Sequence, residues 1–157
     1  MSAVSTGEIQ VRKIQIREIQ IEDAEAAAGL TRELGYSVEA ALIADRIRAI
    51  KALPDHATYV ASLPERGIVG WIDIGVIHRL QTEKHVEIGG LVVSSGARSL
   101  GVGQQLIARA EEWALERGVT TILVRSQLQR ERAHQFYLRE AYRQIKTSVV
   151  FSKQLER

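Results

Sequence analysis

The chain has 157 residues, 45% hydrophobic and 25% charged, with no cysteine and a formal net charge of +2. That length suits one domain with a substantial core, and the lack of cysteine excludes disulfides, cysteine-ligated metals and a cysteine nucleophile. Basic residues are scattered and not interleaved with aromatics, and no apolar run is long enough to span a bilayer, so neither nucleic acid nor membrane is expected as a partner and a cytoplasmic location is expected.

Residues 1–10 are polar, lack the apolar run of a signal peptide and read as a flexible tail, leaving 11–157 as a single domain. Val11 to Ile19 alternates and predicts a first strand. Glu22-Asp23 opens an alanine-rich helix that stops near Leu34-Gly35. Ser37 is expected to cap a second helix whose apolar set is Ile43, Ile47 and Ile50, ended by Pro54-Asp55. Thr58 to Leu63 and Ile68 to Ile77 read as strands joined by the turn Pro64-Glu65-Arg66-Gly67. His56 and His78, at strand edges, read as surface residues and no metal site is expected. After the polar loop Gln81 to Lys84, His85 to Val93 is the central strand. Its Gly89-Gly90 pair suggests a bulge or a close backbone approach. A helix follows from Gln104 to Arg117, burying Leu106, Ile107, Ala110, Trp113 and Ala114, with Gly118 as its stop. Thr121 to Ser126 reads as a strand, Arg132 to Glu140 as a helix, and Gln144 to Leu155 as one or two final strands able to pair in a homodimer. The succession predicts an α/β fold, a mixed sheet with helices on both faces.

Between the central strand and its helix stands Arg98-Ser99-Leu100-Gly101-Val102-Gly103. A glycine turn at a helix start points orphan backbone N–H groups outward, and with the positive end of the helix dipole it makes a phosphate site. Arg98 adds a charged fork. Gly96 and Gly101 have P-loop spacing, but Val102-Gly103 stands where Lys and Ser/Thr belong, which argues against a triphosphate. Gly101 and Gly103 match two of the three dinucleotide glycines. The third is missing, and the next strand ends Val124-Arg125-Ser126 without the acidic residue a ribose needs.

Leu91-Val92-Val93, then Arg98-x-x-Gly101-x-Gly103, then an amphipathic helix, resembles the acetyl-CoA motif of the GNAT superfamily of N-acetyltransferases. Ala133-His-Gln-Phe136-Tyr137-Leu-Arg-Glu-Ala141-Tyr142 is similar to that family's second motif. The resemblance implies a GNAT-like, mostly antiparallel central sheet. It also implies acetyl-CoA as cosubstrate, held by Leu91, Val92, Val93 and Arg98 to Gln104 (Arg98, Ser99, Leu100, Gly101, Val102, Gly103, Gln104). The expected reaction is direct attack by a primary amine in a ternary complex, the acceptor being a small-molecule amine or a protein amino group.

That transfer needs a deprotonated amine, donors for the tetrahedral oxyanion and a proton for the leaving thiolate. Tyr137 matches the family tyrosine near the thioester sulfur and is expected to be the acid. Glu87, four residues before Leu91, is expected to be the base, directly or through water. Period-two alternation puts Glu87, Gly89 and Leu91 on one face if no bulge intervenes. A backbone N–H near Val92 is the oxyanion donor by resemblance. Two positions depart from the pattern: Ala141 replaces a glycine, and Arg130 replaces an asparagine and is assigned to a cofactor phosphate. Tyr36, Trp71, Asp73 and His78 are weaker candidates for the acceptor side, each read more readily as structural. A non-catalytic acetyl-CoA-binding module is the alternative reading. A dinucleotide-binding domain is a weaker one.

Overall fold

A computed structural model describes residues 13–157, so the expected tail and the start of the first expected strand lie outside the described residues. Residues 13–125 form one compact unit and Ser126–Arg157 a second. The first unit contains β1 (Gln15–Glu18), a 3-10 turn (Ile21–Asp23), α1 (Ala24–Glu33), α2 (Ala40–Lys51), β2 (His56–Leu63), β3 (Gly67–Ile77) and β4 (His85–Val93). It continues with a 3-10 turn (Ser95–Ala97), α3 (Val102–Glu116) and β5 (Ile122–Val124). The second unit carries α4 (Glu131–Arg139).

The five strands pair in sequence order, antiparallel from β1 to β4. β5 joins β4 in parallel, as the α3 crossover between them requires. Gly70, Ile72 and Ile74 of β3 face α3. A Cβ on Gly70 would lie 2.9 Å from the Val92 carbonyl oxygen and 3.2 Å from methyls of Val102 and Leu106, so the missing side chain sets how closely α3 approaches. On the opposite face α1 and α2 bring Ala24, Ala27, Ala28, Ile43 and Ile47 onto Val60 of β2 and Trp71 of β3. Both faces follow from the helical and strand periodicities of the sequence.

The entry to α1 is held by Asp23, whose carboxylate accepts the Gln20 N–H at 2.7 Å and a two-pronged bond from Arg17 at 2.7 and 2.9 Å. The hydrogen bond from Arg17 holds this carboxyl below its usual value, outweighing the opposing effect of burial. α1 and α3 close with paired bonds after their last turns: Gly35 N to Arg32 O and Tyr36 N to Thr31 O, then Gly118 N to Leu115 O and Val119 N to Ala114 O.

Two expectations are corrected. Ser37 does not cap α2, which begins three residues later from an extended Glu39 with no side-chain cap. A hydrophobic staple replaces the cap: Val38, just before Glu39, is buried in the same cluster as Ile43 in the first turn. The stretch Gln144 to Leu155 contains no strand. Val149, Val150 and Phe151 are 76%, 84% and 90% exposed, and a β-prone sequence becomes a strand only where a ladder partner accepts it.

Candidate functional site

β4 runs straight into the glycine turn. Ser94 N–H donates to Val69 O at 2.7 Å, and Arg66 Nη1 donates to Gly96 O at 2.9 Å, bracing the loop against the β2–β3 connection. Ser99 and Gly101 then take positive φ, 74° and 85°. Gly101 is the N-cap of α3 and supplies no side-chain cap. The first bond of the helix ladder is Gln105 N–H to Gly101 O, 3.1 Å, so the N–H groups of Val102, Gly103 and Gln104 precede the ladder. Arg98 and Ser99 stand exposed beside them, Leu100 is half-buried, and Val102 is buried and anchors the turn to the core. The arrangement is an anion cradle on the end of a rigid strand.

The second feature lies on β4 itself. Its register with β3 slips between Asp73–Gly90 and Ile74–Ile88, leaving Gly89 as the extra residue of a bulge. The bulge changes the expected facing of Glu87. Instead of sharing a face with Leu91, Glu87 pairs across from Gly75, so it lies on the face of Gly90 and Val92 and of Trp71 and Asp73 on β3. β5 pairs with β4 only over Val86 to Ile88, so among the described residues no strand covers the β5-side edge of β4 from Gly89 to Val93. Leu91 and Val93 are half-buried there and Val92 is buried.

Around the bulge this sheet face becomes polar. Asp73 Oδ1 accepts from Thr58 Oγ1 at 2.7 Å and lies 2.5 Å from His56 Nε2. A Cβ on Gly89 would lie 3.3 Å from Asp73 Oδ2, and one on Gly75 would lie 3.3 Å from His56 Nδ1. The two glycines leave a floor without side chains between His56 on β2 and Glu87 on β4. The Trp71 ring crosses Gly90, and its buried indole N–H has no acceptor among the described residues. Glu87 accepts from Arg125 Nε at 2.7 Å and lies 3.2 Å from His85 Nε2. Burial pushes its carboxyl up, but the bonds from Arg125 and His85 outweigh that and hold it below the usual range. The hydrogen bond to Asp73 raises the His56 pKa, with burial opposing. His56 is therefore no plain surface residue. Its signal was the alternation His56-x-Thr58 on a strand whose neighbour carries Asp73.

In the second unit, Arg130 is the N-cap of α4 and Tyr137 lies in its second turn. Tyr137 packs edge-on against Phe136 at 5.3 Å between ring centroids and lies 5.8 Å from the Tyr142 ring. Burial raises its phenol pKa, and the Arg130 charge opposes this. Ala141 takes φ 66°, with Ala141 N–H bonded to Leu138 O and Tyr142 N–H to Tyr137 O. The alanine thus occupies a helix-ending position that favours glycine. Of the weaker candidates, Tyr36 is 66% exposed after α1, and His78 is exposed, 3.5 Å from Asp55.

The model of the acetyltransferase (GNAT) family matches residues 14–141. An aminoalkylphosphonate N-acetyltransferase of Salmonella typhimurium is 34% identical over 97 residues, 61% of this chain and 63% of the relative. An uncharacterised N-acetyltransferase of Bacillus subtilis is 37% identical over 65 residues, 40% of this chain and 46% of the relative. The match thus spans less than two thirds of either relative. An aminoglycoside N-acetyltransferase solved in complex with CoA superposes with a TM-score of 0.79 at 16% identity, covering 90% of this chain and 95% of that one.

Proposed function

The chain belongs to the acetyltransferase (GNAT) family, and from that premise we propose that it transfers the acetyl group of acetyl-CoA to a primary amine by direct attack in a ternary complex. The observation that carries the proposal is the uncapped start of α3, which presents three N–H groups at the end of a bulged strand. Those groups and Arg98 suit the pyrophosphate of CoA, and Leu91, Val92 and Val93 its pantetheine arm along the open edge of β4. Arg130 is assigned to a CoA phosphate.

Tyr137 donates the proton that the leaving thiolate takes up, since a phenol held above its usual pKa is fully protonated at neutral pH. Glu87 accepts a proton from the attacking nitrogen. Its ion pairs keep it anionic at neutral pH. A backbone N–H near Val92 steadies the oxyanion. The named relatives act on an aminoalkylphosphonate and an aminoglycoside, both amines, so small amines lead the acceptor candidates ahead of protein amino groups. The exposed apolar stretch through Val149 to Phe151 supports a homodimer. The described residues contain no helix long and apolar enough to cross a membrane.

The test is calorimetric titration with CoA, followed by release of free thiol from acetyl-CoA in the presence of a panel of aminoalkylphosphonates, aminoglycosides, polyamines and peptides. Binding with amine-dependent thiol release is expected. Binding with no transfer to any amine points to a non-catalytic module, and absence of binding removes the reading altogether.

A further inference from the structure

Acetylation of an ammonium takes two protons from nitrogen, one before attack to free the lone pair and one after attack from the acylated nitrogen. One carboxylate does not suit both. The first proton is held by a group near pKa 10, and the second by a strongly acidified nitrogen.

On the sheet face of the bulge a second proton acceptor stands across from Glu87. Gly75 of β3 is registered with His56 on β2 and with Glu87 on β4. Neighbouring strands lie about 5 Å apart, so the two residues flank the glycine floor with about 10 Å between their backbones, room for an amine. A carboxylate only accepts, so Asp73 Oδ1 at 2.5 Å fixes the Nε2–H tautomer of neutral His56. The lone pair is then on Nδ1, the atom nearest the space that a Gly75 side chain would fill. Thr58 Oγ1 donates to the same carboxylate oxygen and fixes its position. The imidazole is about one quarter exposed, open to a ligand yet packed enough to be oriented. The charged groups around it are Glu18 of β1, Lys51 of α2, Asp55 before β2, Asp73 and, across the floor, Glu87. Lys51 lines the same pocket as His56, its ammonium donating to Ile19 O at 3.0 Å.

We propose that His56 Nδ1 is the catalytic acceptor of the first proton, with Asp73 as its positioning residue and Glu87 receiving the second. The inference rests on the acetyltransferase reading above. The steps balance. The ammonium gives one proton to His56, and the freed lone pair forms the N–C bond while the carbonyl pair moves to oxygen. The acylated nitrogen gives its second proton to Glu87. The C–S bond breaks with its pair on sulfur, which takes a proton from Tyr137. Glu87 then returns its proton through solvent to the Tyr137 phenolate and His56 releases its own to water, so every group is restored and the net products are amide, thiol and one proton.

The experiment compares two acceptors at pH 7, an alkylamine that is mostly ammonium and a hydrazide that is already neutral. His56→Gln should lower kcat/KM for the alkylamine by about 10²–10⁴-fold and leave the hydrazide within a few-fold of wild type. Glu87→Gln should slow both acceptors, since both lose the second proton. Nitrogen NMR of the wild-type protein should show neutral His56 protonated at Nε2. Asp73→Asn should move its titration to lower pH, because the carboxylate is what raises it. Equal loss on both acceptors in His56→Gln, full alkylamine activity in that variant, or an Nδ1–H tautomer in the wild type would each overturn the assignment. A wild-type protein that acetylates no amine would instead overturn the acetyltransferase reading, and this one with it.

Discussion

Gly101→Ala separates what the glycine turn does for the fold from what it does for the cofactor. Gly101 has φ 85° and ψ 8°, a left-handed conformation. An L-residue there pays about 1–2 kcal/mol because its Cβ crowds the following carbonyl oxygen. The turn has no room to escape the strain, since Ala97 before it and Val102 after it are each 1% exposed. For a chain of this length each kcal/mol moves Tm by about 2–4 °C, so a fall of about 2–8 °C is expected. The added methyl also crowds the approach to the N–H groups that open α3. Loss of one charge-assisted hydrogen bond, about 1.5–3 kcal/mol, corresponds to roughly 10- to 100-fold weaker CoA binding. Gly96→Ala is the control, because its Cβ meets nothing within 4 Å and its φ is not positive. Thermal melts followed by circular dichroism and calorimetric titration with CoA read the two effects separately. A lowered Tm with unchanged CoA affinity would refute the cofactor site, and unchanged Tm would refute the strain argument.

Gly70→Ala should cost about 1–3 kcal/mol by overpacking, since a backbone carbonyl oxygen and two core methyls would have to give way; Gly29→Ala in α1, where a Cβ meets nothing, should instead stabilise by up to about 1 kcal/mol, and denaturant midpoints decide both. Ala141→Gly should raise stability by about 1 kcal/mol by relieving φ 66° at the end of α4, and a lowered midpoint would count against that backbone. Asp23→Ala should cost about 2 kcal/mol at pH 7 through the lost Arg17 and Gln20 bonds. Because Arg17 holds that carboxyl below its ordinary 3.8, the proton-linked part of its stabilisation is present above pH 3.8 and lost as pH falls through the lowered folded value, so melts at stepped acid pH should show wild type and variant converging. Tyr137→Phe keeps the ring against Phe136 and Tyr142 and should lower turnover by about 10²–10⁴-fold with little change in CoA affinity; wild-type turnover at saturating acetyl-CoA removes the acid role.

What the sequence alone determined is what depends on neighbours along the chain. The bounds of β4 at His85 and Val93, the stops at Gly35 and Gly118, the buried face of α3 and the glycine turn all follow from periodicity, end signals and the need of a positive φ for glycine. Ala141 was legible as a departure, and its φ shows the backbone keeping the glycine conformation without the glycine. Tertiary structure decided the rest. Ser37 looked like a cap until the burial of Val38 beside Ile43 moved the helix start. Gly89-Gly90 announced a bulge, but only its pairing with β3 showed that Glu87 turns to the face of Asp73 and away from that of Leu91. The His56–Asp73 pair joins residues 17 apart through the register of two strands. The strands expected after Gln144 had the composition and lacked a ladder partner. In each case the missing term was a contact across strands or between helices. A strand of period two changes face with a one-residue slip, so no local reading can fix which side chains meet.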